Sequence, residues 1–161
     1  MVSPSKREAG DNPQHWPVMT LRLRPMTEDD IGRGVILLAQ LGYHLTAAEL
    51  TRRVGEVTAA PDHRLVVAEA DGAVIGLLHV FVRPAVENPK EAVVQSIVVD
   101  ASCRRRGVGR TLMAEAERWG SERGCCAVAL SSNVARSPAH AFYAALGYRV
   151  SANAYILRKA L

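Results

Sequence analysis

Apolar residues recur at every second position in some stretches of this chain and at every third or fourth in others, and each change of spacing marks a boundary between a strand and a helix. Leucine alternates with arginine over 20–24, which predicts a half-buried strand that Pro25 ends. Asp71-Gly72, between two apolar stretches, predicts a hairpin turn. The other predicted strands are 63–70, 74–81, 92–99 and 125–131, followed by a final hairpin of 148–150 with 155–159.

Four segments have helical spacing, and local chemistry marks their ends. Thr46 and Glu49 form a capping box at the start of the second helix. Ser137-Pro138 supplies an N-cap and a first-turn proline for the fourth. The predicted helices run from Thr27 to near Gly42, from Thr46 to about Thr58, from Gly109 to Gly124 and from Ala139 to Leu146.

The order of elements is strand, two helices, three strands, helix, strand, helix and two strands. This order predicts a single-domain α/β fold in which a central, mostly antiparallel mixed sheet is flanked by helices. The length of 161 residues fits one domain. Residues 1–18 are polar, aperiodic and contain three prolines, so we expect a flexible N-terminal arm followed by a folded domain over 19–161.

The strand predicted over 92–99 is apolar almost throughout, as expected for a strand covered on both faces. Gln95 and Ser96 interrupt it in the middle. Adjacent residues of a regular strand point to opposite faces, so either local hydrogen bonding satisfies one of these side chains or the strand bulges there toward a site.

A basic turn follows this strand after Asp100, and it contains Gly107 and Gly109. It matches neither the dinucleotide fingerprint nor the phosphate loop of nucleotide hydrolases. A helix that starts here would add free backbone N–H groups and the positive end of its dipole, so the turn is a candidate socket for a phosphorylated ligand, with a solvated basic turn as the alternative. Its arginines are Arg104, Arg105, Arg106 and Arg110.

Charge and cysteine content bear on the partners of the protein and on its location in the cell. The net charge of +4 permits nucleic-acid contact, but no basic face interleaved with aromatic residues favours it. Cys103, Cys125 and Cys126 form no disulfide framework, which predicts a reducing, cytoplasmic location. No stretch has the length of a membrane span or the pattern of a signal peptide, and the histidines lack metal-ligand spacing, so we expect neither membrane nor metal.

Val98-Val99-Asp100 followed by Arg104-x-x-Gly107-x-Gly109 resembles the acetyl-coenzyme A signature of the GNAT N-acetyltransferase superfamily. Ser132-Asn133 and Ala139 to Tyr148 resemble its second block, and the two blocks together span 92–149. The resemblance implies a GNAT-like fold, acetyl-coenzyme A as cosubstrate and Tyr143 as the proton donor to the departing thiolate. The implied coenzyme-binding residues are Ile97, Val98, Val99, Arg104, Arg105, Arg106, Gly107, Val108, Gly109, Arg110, Asn133 and Tyr143.

The resemblance assigns no residue of this chain as the general base. Many members of the superfamily place a glutamate on the central strand, where this chain has Val93, Gln95 and Ser96. Glu91, His79 or water could take the proton, and an amine that arrives neutral needs no strong base.

The resemblance implies direct acetyl transfer to a primary amine, with a small molecule as the first choice because the chain is also similar to the aminoglycoside and small-amine branch. The alternatives are a protein N-terminus or lysine, and a non-catalytic acyl-coenzyme A-binding module. A homodimer is kept as an open expectation. A polycationic acceptor would require converging acids, for which the candidates are Glu28, Asp29, Glu49, Glu87 and Glu91.

Overall fold

The computed structural model describes residues 20–161, so the predicted arm over 1–18 lies outside the described residues. The strands are β1 (Leu21–Pro25), β2 (His63–Ala70), β3 (Ala73–Arg83), β4 (Glu91–Val99) and β5 (Ala127–Leu130). The helices are α1 (Ile31–Ala39), α2 (Ala47–Ala59), α3 (Val108–Glu122) and α4 (Ser137–Ala145). Short 3-10 turns, Glu28–Asp30 and Ala101–Cys103, follow β1 and β4.

The five strands form one sheet in the order β1-β2-β3-β4-β5. Each neighbouring pair from β1 to β4 is antiparallel, whereas β4 and β5 are parallel. The α3 crossover between β4 and β5 supplies the long connection that a parallel pair requires. The predicted mixed and mostly antiparallel sheet is therefore confirmed.

Helices cover both faces of the sheet. Leu112, Met113 and Trp119 of α3 pack on one face, which we call the α3 face. Leu37 of α1 and Leu50 of α2 pack on the other, the α1/α2 face. Strand β4 contributes apolar residues to both layers, as its continuous apolar pattern predicts.

A β-bulge interrupts β4 where the sequence places its two polar residues. His79 of β3 pairs with Ser96, but the next residue of β3, Val80, pairs with Val94, which leaves Gln95 without a partner on β3. Val94 and its neighbours across the bulge pack on the α3 face, so Gln95 and Ser96 both lie toward the α1/α2 face. Of the two explanations left open by the sequence, the bulge is the correct one.

The predicted final hairpin is wrong. After α4 the chain enters no further strand, and from Arg149 to Leu161 every residue is exposed. A two-stranded hairpin is marginal in water unless its apolar side chains pack on something, and the side chains of Tyr155, Ile156 and Leu157 find no such surface within the described residues. A smaller correction concerns α4, where Arg136 is the N-cap and Ser137 is the first helical residue.

Candidate active site

The basic turn after β4 adopts the conformation that its glycines permit. Gly107 is the N-cap of α3 with φ of +80°, and Arg105 also has a positive φ, of 62°. Such angles are accessible to glycine at little cost, whereas an L side chain is strained there. The turn therefore directs the backbone into the N-terminus of α3, as the sequence predicts.

Free hydrogen-bond donors collect at this N-terminus. The backbone N–H groups of Gly107, Val108, Gly109 and Arg110 donate to no acceptor within residues 20–161. The four arginine side chains of the turn are exposed around them. Unpaired N–H groups and the positive end of a helix dipole form an anion-binding arrangement, which suits the pyrophosphate of a coenzyme.

Gly109 has a packing role as well. A Cβ placed on this residue would lie 3.1 Å from Cζ of Phe142 and 3.7 Å from Cγ2 of Val99. The missing side chain lets the first turn of α3 lie close to α4 and to the end of β4. Gly109 thus brings together the two sequence blocks that carry the family resemblance.

A groove opens between β4 and β5. The two strands pair only from Glu91 to Val94 on β4, and their pairing ends at Val94 and Leu130, where the bulge begins. Beyond this point the edge of β4 that faces β5 has no strand partner, so backbone groups of Ile97 to Val99 are available to a ligand. The groove is lined by Leu41, Tyr43, Val94, Gln95, Ser96, Ile97, Leu130, Ser131, Arg136 and Tyr143.

Tyr143 projects from α4 into this groove, and its ring packs edge-on against Phe142 and Tyr148. Burial raises the pKa of Tyr143 above its ordinary value of 10.0, and the positive charge of Arg136 partly opposes this rise. The phenol therefore stays protonated at neutral pH and can donate a hydrogen bond to sulfur. Complete proton transfer to a thiolate is uphill in the free enzyme, since the thiol of the coenzyme is the stronger acid.

Asn133, predicted to bind pantetheine, is engaged locally. Its Oδ1 accepts the backbone N–H of Ala135 at 2.9 Å, and its carbonyl oxygen lies 3.0 Å from Nε2 of His140. Within the side chain, the amide NH2 group remains for a ligand, and the binding role of Asn133 stays a prediction. Arg136 lines the groove instead, a position that sequence reasoning missed; its place immediately before the helix-starting Ser137-Pro138 was the available signal.

Asp100, at the junction between β4 and the basic turn, is 7% exposed and fully engaged. Its carboxylate accepts hydrogen bonds from the hydroxyl and the backbone N–H of Ser102 and from the guanidinium of Arg33 in α1, and these hold its pKa at about 2. Gln40, just after α1, accepts the backbone N–H of Ala101 at 2.9 Å. The basic turn is thus anchored to the end of α1, next to Leu41 and Tyr43 of the groove.

The candidate general bases differ in whether their side chains already have partners. Glu91 forms an ion pair of 2.6 Å with Arg83, so its carboxylate is already compensated. His79 faces Ser96 across the bulge, and its Nε2 lies 2.9 Å from Nδ1 of His63. Of the acids suggested for a polycationic acceptor, Glu49 closes its own capping box with Thr46.

Within residues 20–161 no group of three or more acidic, histidine or cysteine side chains could hold a metal ion, and none of the helices there has the length and apolarity needed to span a membrane.

A broader depression lies in the loop from Arg83 to Glu91, away from the bulge and from the basic turn. Its lining includes the Arg83–Glu91 ion pair.

Comparison with known proteins matches residues 36–148 to the acetyltransferase (GNAT) family. Glucosamine 6-phosphate N-acetyltransferase of Trypanosoma brucei brucei is 29% identical over 142 residues, which cover 82% of this chain and 91% of that enzyme. Aminoglycoside N(6')-acetyltransferase type 1 of Klebsiella aerogenes is 27% identical over 146 residues, which cover 86% of this chain and 96% of that enzyme.

Solved structures share the fold at low sequence identity. A transcriptional regulator from Bacillus halodurans C-125 superposes with a TM-score of 0.80 at 23% identity, covering 86% of this chain and 99% of that one. AAC(6')-Iy, solved with the bisubstrate analog CoA-S-monomethyl-acetylneamine, superposes with a TM-score of 0.78 at 24% identity, covering 88% of this chain and 99% of that one. The predicted fold is confirmed, and with the family match over most of the chain it follows that this protein belongs to the GNAT family and is a GNAT-type N-acetyltransferase.

Proposed function

We propose that this enzyme transfers an acetyl group directly from acetyl-coenzyme A to a primary amine of a small molecule. The observation that carries the proposal is the groove that runs from the free N–H groups at the start of α3, along the unpaired edge of β4, to the bulge at Gln95. A pyrophosphate at the turn and an extended pantetheine arm along Ile97 to Val99 would bring the thioester to the bulge.

The chemistry follows from this placement. The amine nitrogen attacks the thioester carbonyl, and a backbone N–H near Val98 or Val99 stabilises the developing oxyanion. The phenol of Tyr143 donates a hydrogen bond to the sulfur as the carbon–sulfur bond breaks. Arg136, whose charge already acts on Tyr143, favours negative charge on the departing thiolate.

The lining of the groove supports a small acceptor. Of its ten residues in the described part of the chain, Arg136 carries the charge and none is acidic. A polycation would require carboxylates at this position, so we favour an acceptor with one reactive amine, such as an amino sugar. The relative named for glucosamine 6-phosphate supports an amino sugar as the acceptor.

Three broader points belong to the same proposal. The catalytic domain is taken to extend over 19–161, the location to be cytoplasmic, and the enzyme to be a homodimer. Free thiols at all three cysteines support a reducing compartment. The exposed apolar side chains after α4, among them Ile156 and Leu157, support contact with a second copy.

The decisive experiment follows thiol release from acetyl-coenzyme A over a panel of amino sugars, aminoglycosides, polyamines, lysine peptides and peptides with a free N-terminus. The expected result is saturable turnover with an amino sugar that exceeds turnover with the peptides. Turnover with peptides alone would favour a protein acetyltransferase. Tight coenzyme binding without release on any amine would identify a non-catalytic binding module.

A further inference from the structure

Two imidazoles lie beside the bulge on the α1/α2 face of the sheet. His79 of β3 is the cross-strand partner of Ser96, and Ser96 lines the groove. Cross-strand partners place their Cβ atoms about 4.5–5.5 Å apart. His79 is therefore one strand away from the groove, beside the groove residue Ser96.

The ring of His79 is held in a fixed orientation. Its Nε2 lies 2.9 Å from Nδ1 of His63, and the two rings stack with centroids 5.2 Å apart. Phe81 stacks on the ring of His63, with the two centroids 5.2 Å apart and an interplanar angle of 16°. One imidazole nitrogen of His79 is thus occupied by His63, and the other, Nδ1, has no hydrogen-bond partner among residues 20–161.

The other polar groups around the bulge are less suited to accept a proton. Gln95 and Ser96 have no basic atom at neutral pH, and Val93 has no polar group. The carboxylate of Glu91 is held by Arg83. Nδ1 of His79 is consequently the available nitrogen base on this face.

The charge state of His79 agrees with that role. Burial and, to a lesser extent, electrostatic repulsion from His63 lower the pKa of His79 from 6.5 to about 4, so the ring is neutral and can accept a proton at pH 7. The residues that pair with His79 from β2 and β4 are Leu65 and Ser96, neither of which is charged. His63 is the titratable group that acts on it within the described chain.

We propose that His79 and His63 form a two-imidazole relay that removes the proton from the acceptor amine, an inference that rests on the proposed function. As the carbon–nitrogen bond forms, the amine proton passes to Nδ1 of His79, and the proton on Nε2 passes to Nδ1 of His63. His63 releases the excess proton to water, and exchange with water restores the starting tautomers. The sulfur departs as a thiolate that accepts a hydrogen bond from Tyr143, and it takes its proton from water after the carbon–sulfur bond breaks.

The relay explains how a buried base of low pKa can work. A proton that remained on His79 would be unfavourable, because burial penalises the charged ring. The contact of 2.9 Å lets the charge move to His63, the first residue of β2. In this relay His79 would take the proton from the acceptor amine, and His63 would act through His79.

The test compares His79→Ala with the wild type, using the best acceptor from the amine panel and the wild-type coenzyme concentration range. Turnover is expected to fall about 10²-fold with nearly unchanged affinity for acetyl-coenzyme A, and added imidazole is expected to restore at least a tenth of the wild-type rate. His44→Gln, which changes an exposed histidine outside the pair, serves as the matched control and should keep the wild-type rate with no response to imidazole.

Two further measurements keep the inference open to refutation. Should His79→Ala fail to fold, His79→Gln retains a hydrogen-bonding side chain and should show the same loss of turnover. In the free wild-type protein, 15N NMR of the histidine rings should find Nδ1 of His79 unprotonated, and a proton on that nitrogen would overturn the relay without any acceptor. Wild-type turnover in both His79 variants would overturn the relay alone, whereas a wild type that acetylates no amine would overturn the proposed function and the relay with it.

Discussion

At the scale of single residues, the two glycines of the basic turn are each required for a different physical reason. Gly107 is required by its backbone angle, because φ of +80° disfavours any side chain, although a Cβ there would meet nothing within 4 Å. Gly109 is required by packing, because a Cβ would press on Phe142 at 3.1 Å. Substitution at the first should disturb the anion site, and substitution at the second should disturb the contact between α3 and α4.

We predict that Gly107→Glu weakens binding of acetyl-coenzyme A at least tenfold. The substitution strains the turn by about 1–2 kcal/mol and places a negative charge where the pyrophosphate must lie. Gly72→Glu is the matched control, because Gly72 also has a positive φ, of 78°, and open space around its Cα, but lies in the β2–β3 turn. Calorimetric titration of both variants should separate them, and equal affinities would remove the turn from the coenzyme site.

For Tyr143→Phe we predict a turnover reduced by about 10²-fold, with coenzyme affinity nearly unchanged, because the change removes the hydrogen-bond donor to sulfur and keeps the ring. Tyr155→Phe, at an exposed tyrosine after α4, is the control and should keep the wild-type rate. The raised pKa of Tyr143 keeps the phenol protonated below about pH 10, so the wild-type rate should show no loss from its ionisation up to that pH. A wild-type rate in Tyr143→Phe would exclude this tyrosine from the reaction.

Sequence reasoning at this scale succeeded where a residue's role depends on its neighbours in the chain. The glycine turn is of this kind, because Gly107 and the start of α3 are adjacent. The occupied Oδ1 of Asn133 could not be predicted, and for Arg136 the sequence offered only its place before Ser137-Pro138, because the contacts of both residues depend on how the loop before α4 folds. The raised pKa of Tyr143 likewise arises from burial, which no local pattern reveals.

At the scale of elements, α3 and β4 are the pair on which the site is built. Helix α3 lies on β4 through Gly120, where a Cβ would come within 2.8 Å of Cβ of Ala92. This close approach fixes the height of α3 over the sheet, and with it the position of the basic turn that precedes α3.

Gly120→Ala should therefore lower the free energy of unfolding by about 1–3 kcal/mol, because the added methyl group overpacks the contact with Ala92. Gly55→Ala is the matched control. Gly55 lies inside α2 with open space around it, so alanine there should raise stability by about 0.5–1 kcal/mol. Urea denaturation of the two variants measures both effects, and a stabilising Gly120→Ala would contradict the close packing of α3 on β4.

Prediction of the elements was accurate where a repeating pattern or a cap is present, and wrong where only a pairing partner could decide. The predicted boundaries of β2 are those of the structure, and the capping box of Thr46 and Glu49 starts α2. The final hairpin failed because alternation alone provides no surface on which to pack. The bulge was one of two alternatives, since only the register with β3 distinguishes it from a satisfied polar side chain.

At the scale of the whole molecule, two buried carboxylates join the layers. Asp30 is 5% exposed and accepts two hydrogen bonds, of 2.7 and 2.9 Å, from the guanidinium of Arg24 in β1. Asp100 connects the end of β4 to α1 through Arg33. Arg24 and Thr27 lower the pKa of Asp30 from 3.8 to about 2, and Ser102 and Arg33 do the same for Asp100.

These depressed pKa values predict a loss of stability in acid. Each carboxylate stabilises the fold above pH 3.8, its unfolded value, and that contribution disappears as the pH falls toward 2. Asp30→Asn should cost about 2 kcal/mol at pH 7, and its difference from the wild type should vanish near pH 2. Asp29→Asn, at the exposed neighbouring residue, should change stability by less than about 0.5 kcal/mol. Thermal unfolding between pH 2 and 7 measures the difference, and a gap that stays constant with pH would refute the assignment.

The bulge in β4 changes which residues of the strand, even-numbered or odd-numbered, lie on the α3 face. Before it, the even-numbered residues Ala92 and Val94 lie on the α3 face; after it, the odd-numbered Ile97 and Val99 do. Deleting Gln95 would therefore leave every apolar residue of β4 on its present face and give β3 an unbroken ladder. The apolar pattern of β4 does not require Gln95, and this surplus residue lies where the pairing of β4 with β5 ends and the groove begins.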